Sequence, residues 1–252
     1  DLRRVFDRLG GGDLRIQAIL IAFCFGGLLE ALAGFGAPVA ITATMILALG
    51  VKPLKAAITV LLANTAPVAF GAVAVPITTA GDVGGKDAHM IATIVGHQAP
   101  FLAMLVPLIL LVILDGMKGL KDAWLPALVI GVSFAIAQWV TAATPAYNLT
   151  DVVACIVSMG VAVIFLQFWK PRGVEGVRER YGLPAQGEEK EALPAVRIWM
   201  ALLPYLIVVI IFGVANLHAG LKAWLKGFVI KIDIQALSSR LVTADGKPVK
   251  DA

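Results

Sequence analysis

Two short polar interruptions in otherwise apolar sequence constrain the fold of this chain most. The first covers residues 30–40 and the second residues 64–72, and each contains Ala-Pro-Val-Ala beside glycine and phenylalanine. Inside a bilayer, a Gly/Pro break frees backbone N–H and C=O groups that lipid cannot satisfy, so it persists only where protein or a cavity surrounds it. Two such breaks close together are the best sequence indication of a transporter's binding site.

The composition is that of a membrane protein. Of the 252 residues, 59% are hydrophobic and 15% are charged, whereas soluble domains carry about 25% charged residues. The net charge of +4 is modest, and the basic residues lie in loops beside apolar runs, which indicates cytoplasmic loops rather than a nucleic-acid-binding surface. Cys24 and Cys155 lie inside apolar runs and form no disulfide or metal-ligand pattern. We therefore expect an all-α membrane protein, a multi-span helical bundle without nucleic-acid partners, metal or cofactor.

The first apolar unit has one long leg and one short leg. Residues 14–33 would make about 30 Å of helix, whereas residues 38–50 would make only about 20 Å, too short for a hydrocarbon core of about 30 Å. The Arg-rich start of the chain and the Lys52/Lys55 loop are both basic, so the positive-inside rule places both flanks in the cytoplasm. Because both flanks lie on the same side and the second leg is short, the sequence predicts a re-entrant hairpin over residues 14–50 with the first interruption at its tip. The alternative is a pair of full spans, one of them pulled short.

The second interruption divides the next apolar run, because Pro67 lacks a backbone N–H and disfavours helix at the residue before it. We assign residues 1–170 to a transmembrane transport core. Its further segments, and those that follow it, are predicted as a broken span at residues 56–80, spans at residues 90–114, 123–142 and 151–169, a cytoplasmic loop at residues 171–195, a last span at residues 196–216, and an interfacial helix with a polar tail at residues 217–252.

Glu30 is the one carboxylate that the sequence places well inside an apolar leg. Ionisable groups at that depth are costly, and a functional role is the default hypothesis. The structural alternative is a protonated side chain bonded to neighbouring backbone. We predict that Glu30 carries a coupling proton. His97, beside Gln98 and Pro100, is the other candidate, and binding and interfacial roles stay equally open for it.

Asn64 and Thr65 stand at the second break, where their side chains either bind a ligand or cap freed helix ends. Each break is expected to start a half-helix, after Pro38 or Pro67, whose N-terminus offers free N–H groups and the positive end of the helix dipole. Two such ends would hold a small carboxylate anion, as in known broken-helix transporters. The predicted substrate-binding residues are Gly34, Phe35, Gly36, Ala37, Asn64, Thr65, Ala66 and His97. Thr42 and Thr44 are expected to bond back to their own helix.

Several segments closely resemble the L-lactate permease family, strongly over residues 14–125 and more weakly to Lys170. They are residues 28–41, residues 63–72 with Val75-Pro76-Ile77 after them, residues 98–102 and residues 115–119. The resemblance implies a multi-pass symporter of the cytoplasmic (inner) membrane that takes up lactate, and often glycolate, together with protons. Family members are about twice as long, so with no initiator Met before Asp1 we expect an internal piece whose partners include the lipid bilayer and a missing second half of the same polypeptide. One departure is His97, where the family pattern leads us to expect arginine.

Two function classes follow. The leading one is a proton-coupled monocarboxylate transporter, with a sodium-coupled organic-anion transporter of the same superfamily as the nearer alternative. A membrane-embedded enzyme is less favoured, because it would need a nucleophile–base pair or metal ligands at depth, and the sequence shows none.

Overall fold

The computed structural model describes residue 6, residues 9–34, residues 36–182 and single positions between residues 196 and 220. The chain divides into two compact units, Asp1–Gly213 and Val214–Ala252, and all elements below belong to the first. The last span predicted at residues 196–216 falls on these single positions and otherwise lies outside the described residues. So does the predicted interfacial helix, apart from one position.

The described part of the chain is helical and contains no strand, which confirms the all-α class. Three segments, Leu14–Ala33, Ala88–Ala142 and Tyr147–Phe168, are long and apolar enough to cross a membrane. The helices are α1 (Leu14–Ala33), α2 (Ala37–Ala48), α3 (Pro53–Ala63), α4 (Val75–Gly84), α5 (Ala88–Ala142), α6 (Thr150–Phe168) and α7 (Val174–Arg180), with 3₁₀ turns at Ala72–Ala74 and Tyr147–Leu149.

Helix α1 is the centre of the bundle. Every residue from Leu14 to Leu32 is buried, as expected for a helix that is apolar on all sides. Asp13 caps its start by accepting a hydrogen bond from the backbone of Arg15 at 2.8 Å. A π-helical stretch, Leu20–Phe25, widens its middle, and such stretches are frequent at functional sites. The sequence did not predict it.

Helix α5 is two limbs joined at a corner. Gly116 (φ +67°) and Ala123 (φ −135°) leave helical geometry, so the limbs run over residues 88–115 and 124–142. The limbs approach closely at glycines. An added Cβ on Gly131 would overlap the backbone oxygen of Met104, and one on Gly96 would lie 2.5 Å from the Cβ of Ala142. Small residues at helix contacts allow this proximity in membrane bundles.

An ionic cluster holds one end of the bundle together; we call Asp13, Arg15, Asp115, Asp122 and Arg180 the basal cluster. The guanidinium of Arg15 is fully buried and lies 2.7 Å from Asp13, 3.2 Å from Asp115 and 3.6 Å from Asp122. Arg180 contacts the other oxygen of Asp115 at 2.6 Å. The cluster therefore joins the start of α1, the corner of α5 and helix α7.

Further bonds bring the α2–α3 loop to the same end. Lys55 donates to the carbonyl of Leu114 at 3.3 Å, and the Tyr181 hydroxyl donates to the same carbonyl at 2.7 Å. Burial and nearby Asp115 raise the pKa of Tyr181, an effect that Arg180 reduces, so the phenol keeps its proton. The start of α1, the start of α3, the corner of α5 and helix α7 thus meet at one end. The positive-inside rule predicts that this end is cytoplasmic, since the corner also carries Lys118 and Lys121. The α1–α2 hairpin enters and leaves there, and its sidedness in a membrane stays a prediction.

The other end of the α5 limbs carries residues 81–89, whose charges are balanced, and the uncharged residues 143–149. The alternation of the predicted spans places both loops outside. The ring of His89 lies 3.2 Å from the carbonyl of Ala143 and 5.8 Å from the ring of Tyr147. A separate small hydrophobic cluster lies there, and it includes Phe70 of the second interruption and Ala74 just after it. The second interruption therefore lies between the centre of the bundle and this end.

Candidate functional site

The first interruption is built on two glycines with positive φ. Gly34 (φ +66°) ends α1, and its N–H bonds the carbonyl of Glu30 at 2.8 Å. Gly36 (φ +73°) precedes α2, which begins at Ala37 with Pro38 in its first turn and without a side-chain cap. A half-helix therefore starts at this break as predicted, and its dipole end is open. Phe35 lies outside the described residues.

The second interruption restarts its helix later than the sequence suggested. The carbonyl of Pro67 accepts bonds from the N–H groups of Phe70 and Gly71, at 3.2 and 2.7 Å, and closes a turn. Helix α4 begins only at Val75, with Pro76 in its first turn. The predicted start of a half-helix after Pro67 is wrong, because the turn uses the N–H groups that such a helix end would have offered.

Strained backbone links this turn to α4. Val73 and Ala74 have φ of +48° and +56°, and they are the only non-glycine residues with positive φ in the described chain. A β-branched residue in this region is a genuine outlier. Strain of this kind, costing about 1–3 kcal/mol per residue, persists where the surroundings enforce it and clusters at binding sites.

The two interruptions touch each other. An added Cβ on Gly34 would lie 2.6 Å from the Cβ of Ala72, and one on Gly27 would lie 3.9 Å from Pro67 Cγ. The second interruption therefore lies along the last turns of α1. We call this contact region the interruption site.

Of the two polar side chains at the end of α3, Thr65 already donates a hydrogen bond within the chain. Asn64 is the C-terminal cap residue of α3 and is half-buried, Thr65 is exposed and Ala66 is buried. The Thr65 hydroxyl donates to the carbonyl of Leu62 at 2.6 Å, which leaves its oxygen free to accept only. Asn64 and Thr65 as substrate ligands stay a prediction.

The threonines just past the hairpin tip behave as expected. Thr42 donates to the carbonyl of Pro38 at 2.9 Å, and Thr44 donates to that of Ile41 at 2.7 Å. Both therefore bond back to their own helix, which confirms the prediction.

Glu30 is buried beside the interruption site. Only 6% of the residue is exposed, and its Oε2 atom has no hydrogen-bond partner among the described residues. It lies between Gly27 of α1 and Gly34 at the end of α1, and an added Cβ at either glycine would approach the second interruption. A buried carboxyl oxygen without a donor is costly, and such an atom calls for a missing proton, water or ligand.

Another buried carboxylate, Asp151, opens helix α6. Asp151 is 2% exposed, and it accepts a bond from the side-chain nitrogen of the fully buried Gln138 at 2.8 Å. The sequence predictions include Asp151 only as the first residue of a span and propose no role for it. The 3₁₀ turn before α6 folds Asp151 under the second limb of α5. The signal available was a glutamine inside one apolar run shortly before an aspartate opening the next.

The described contacts of His97 all fall within α5, and none of them involves the interruption site or Asp151. Its Nδ1 is 2.6 Å from the carbonyl of Thr93, and its ring meets Trp139 edge-on at 6.2 Å. It is exposed and lines an apolar groove of about 370 Å³ between the limbs of α5, with Pro100, Phe101 and Trp139. Its role in substrate binding stays a prediction.

Within the described residues, no group of three or more His, Cys, Asp or Glu side chains is arranged to hold a metal ion. The interruption site instead offers the positive dipole end of α2, a half-buried amide and one buried carboxyl group. In the first turn of α2, Pro38 has no N–H and the N–H of Val39 donates to the carbonyl of Gly36 at 3.1 Å, so the helix dipole rather than a set of free N–H groups would favour an anion there.

Comparisons with known proteins agree on one family. The sequence profile of the L-lactate permease family matches residues 9–244. An L-lactate permease of Bacillus subtilis (strain 168) is 37% identical over 261 residues, covering 94% of this chain and 46% of that protein. The glycolate permease GlcA of Escherichia coli (strain K12) is 50% identical over 163 residues, covering 65% of this chain and 29% of that protein.

An L-lactate permease of Escherichia coli (strain K12) is 46% identical over 159 residues, 63% of this chain and 29% of that protein. No solved structure matches the chain. The chain thus spans less than half the length of these relatives, which are named as permeases, that is, transporters rather than enzymes. Since the family profile covers nearly the whole sequence, this chain belongs to the L-lactate permease family.

Proposed function

We propose that this chain forms the transport core of a secondary active transporter that imports L-lactate, and glycolate or related 2-hydroxy monocarboxylates, by proton symport across the cytoplasmic membrane. The observation that carries the proposal is Glu30, buried with an unpartnered oxygen between the two contacts of the interruptions. The names of the relatives, an L-lactate permease and a glycolate permease, support the substrate class. The rest of the polypeptide would complete the binding cavity in the bilayer.

The substrate carboxylate would bind at the uncapped start of α2. There the dipole of α2 favours a negative charge without a basic side chain. Asn64, half-buried at the end of α3, is the amide best suited to donate to a second carboxylate oxygen or to the 2-hydroxyl group. The remaining predicted ligands are Gly34, Phe35, Gly36, Ala37, Thr65, Ala66 and His97.

Coupling would follow from repulsion between two negative charges. A substrate anion near Glu30 disfavours the charged carboxylate and so favours the protonated side chain. By linkage, proton binding then favours substrate binding by the same factor. Release of the proton on the cytoplasmic side restores the repulsion and expels the anion. Glu30 thus serves as the proton carrier, and the interruptions serve as the anion site.

The hairpin over residues 14–50 would open to the cytoplasm. The basal cluster and the bond from Lys55 support this arrangement, because together they gather the start of α1, the start of α3 and the corner of α5 at one end. A re-entrant hairpin would bring the interruption site to mid-membrane, where broken-helix transporters bind their ligands.

Uptake of labelled lactate into vesicles containing the purified protein tests the proposal. An inward proton gradient should drive accumulation that a protonophore abolishes, and unlabelled glycolate should compete. A sodium gradient at equal pH should drive none. Accumulation driven only by sodium would replace proton symport by sodium coupling, and absence of any lactate uptake or exchange would overturn the proposed substrate.

A further inference from the structure

The pair Gln138–Asp151 has more acceptors than donors. The Gln138 nitrogen donates to Asp151 Oδ1 at 2.8 Å. The other two oxygens, Asp151 Oδ2 and Gln138 Oε1, are both buried and have no hydrogen-bond partner in the described part of the protein. Buried polar atoms in native proteins are nearly always paired. A single added hydrogen, on Asp151 Oδ2, would supply the missing donor.

We propose that Asp151 and Gln138 form a second proton-binding site, in which Asp151 carries a proton near neutral pH and Gln138 holds it. The neutral acid donates through Oδ2, and its Oδ1 still accepts from the glutamine amide. An acid and a primary amide match each other in this way, with one donor and one acceptor each. Deprotonation would leave a charge between α6 and the second limb of α5.

The surroundings of Asp151 favour the neutral acid. Among the described ion pairs, no basic side chain contacts it. Its place in the first turn of α6 favours the anion, since the helix dipole points its positive end there. That effect is smaller than the cost of an unpaired charge that is almost wholly buried, so burial decides.

The titratable neighbours supply no counter-charge. Cys155 lies one turn further along α6, and α1 brings Cys24 to 3.6 Å from Ser158 of α6. Tyr147 lies in the 3₁₀ turn before α6. Thiols and phenols are neutral near pH 7. Among the described residues, no neighbouring group can therefore stabilise a charged Asp151.

A bound cation would be the other way to satisfy two acceptor oxygens. Hard cations such as calcium take about six to eight oxygen ligands, whereas the described residues offer only two unpartnered oxygens at this pair. A proton needs no further ligands.

The presence of this site does not depend on lactate being the substrate, whereas its use in coupling rests on the proposed function.

Infrared difference spectroscopy of the full chain in lipid tests the site directly. The wild-type protein should show a carbonyl stretch of a protonated carboxylic acid near neutral pH that disappears only in alkaline buffer and shifts with ¹³C-aspartate labelling. Asp151→Asn should remove this band, whereas Glu30→Gln should leave it. Gln138→Leu, which keeps Asp151, should shift the band because the carboxyl group loses its hydrogen-bond partner.

Each outcome is decisive. Absence of an aspartic acid band near neutral pH, or a band unchanged in both Asp151→Asn and Gln138→Leu, overturns the proposal. A band that sodium removes at constant pH assigns the pair to a cation and also overturns it. If Asp151→Asn does not fold, the shift in Gln138→Leu decides. Because the readout is independent of transport, failed lactate uptake would contradict the proposed function and leave this result standing.

Discussion

At the scale of single residues, Gly34 and Gly36 both have positive φ but differ in ψ and in their surroundings. Gly36 (ψ +3°) has left-handed helical backbone, whereas Gly34 (ψ −169°) lies in a region that essentially only glycine adopts. An added Cβ on Gly34 would collide with Ala72, whereas one on Gly36 would meet no atom within 4 Å. A substitution at either position includes a backbone cost of about 1–3 kcal/mol, so removal of the Ala72 methyl group is needed to separate that cost from the contact between the interruptions.

We expect Gly34→Ala to lower lactate uptake by at least about tenfold relative to Gly36→Ala, equivalent to about 1.4 kcal/mol. The physical reason is that the added methyl group must push the two interruptions apart. Uptake, normalised to folded protein, is the measurement. Gly34→Ala combined with Ala72→Gly should recover most of the difference, and equal effects of Gly34→Ala and Gly36→Ala would show that the contact is unimportant.

Asn64 should contribute a hydrogen bond to the substrate. Asn64→Ala is expected to weaken lactate binding by about 10- to 100-fold, the range for a lost hydrogen bond to a charged group, with little loss of folded protein. Thr44→Val is the control, because that hydroxyl donates to the carbonyl of Ile41 in its own helix and is not a predicted ligand. Binding measured by calorimetry distinguishes them, and normal affinity in Asn64→Ala would reduce Asn64 to a helix cap.

At the scale of elements, local pattern predicted the helices and their first break well. Hydropathy and Gly/Pro positions place α1, the limbs of α5 and the Gly34 break where the structure has them, because these signals act within a few residues. The late start of α4, the π-helical middle of α1 and the Gln138–Asp151 pair depend on contacts between distant segments. Nothing in the local sequence around Asp151 distinguishes a buried aspartate from a solvated one.

The contact between the α5 limbs should be intolerant of added volume. Gly131→Ala is expected to destabilise the fold by about 1–3 kcal/mol, the usual cost of overpacking, because the methyl group overlaps the Met104 carbonyl. Gly160→Ala on α6, where no atom lies within 4 Å, should instead be neutral or stabilise by up to about 1 kcal/mol. Thermal unfolding in detergent compares them, and equal midpoints would contradict the close packing of the limbs.

At the scale of the whole molecule, the basal cluster relates the fold to the membrane. It joins charged segments that are far apart in sequence, so all of them must share one side of the bilayer. Sequence charge predicted the side for each segment separately, but it could not predict that Arg15 would be fully buried at their junction. A buried ion pair contributes little net stability. Its effect here is to hold the start of α1, the corner of α5 and helix α7 together.

Cysteine labelling tests the sidedness. In a background lacking Cys24 and Cys155, single cysteines at the exposed Gly11 and Lys52 should react with a membrane-impermeant thiol reagent only from the cytoplasmic side. A cysteine at exposed Lys86, in the loop predicted outside, should react only from the other side. Labelling of Gly11 and Lys52 positions from opposite sides would replace the re-entrant hairpin by two full spans, one of them short.

The central claim is that Glu30 carries the coupling proton, and exchange compared with net uptake in Glu30→Gln tests it most directly. Glutamine imitates the protonated carboxyl group but cannot release a proton. The exposed Glu175→Gln serves as the matched control and should behave as wild type. We predict that Glu30→Gln still binds lactate and exchanges it across vesicles, yet no longer accumulates it under a pH gradient. Accumulation against the lactate gradient at wild-type rates would contradict the account and make Glu30 a structural residue.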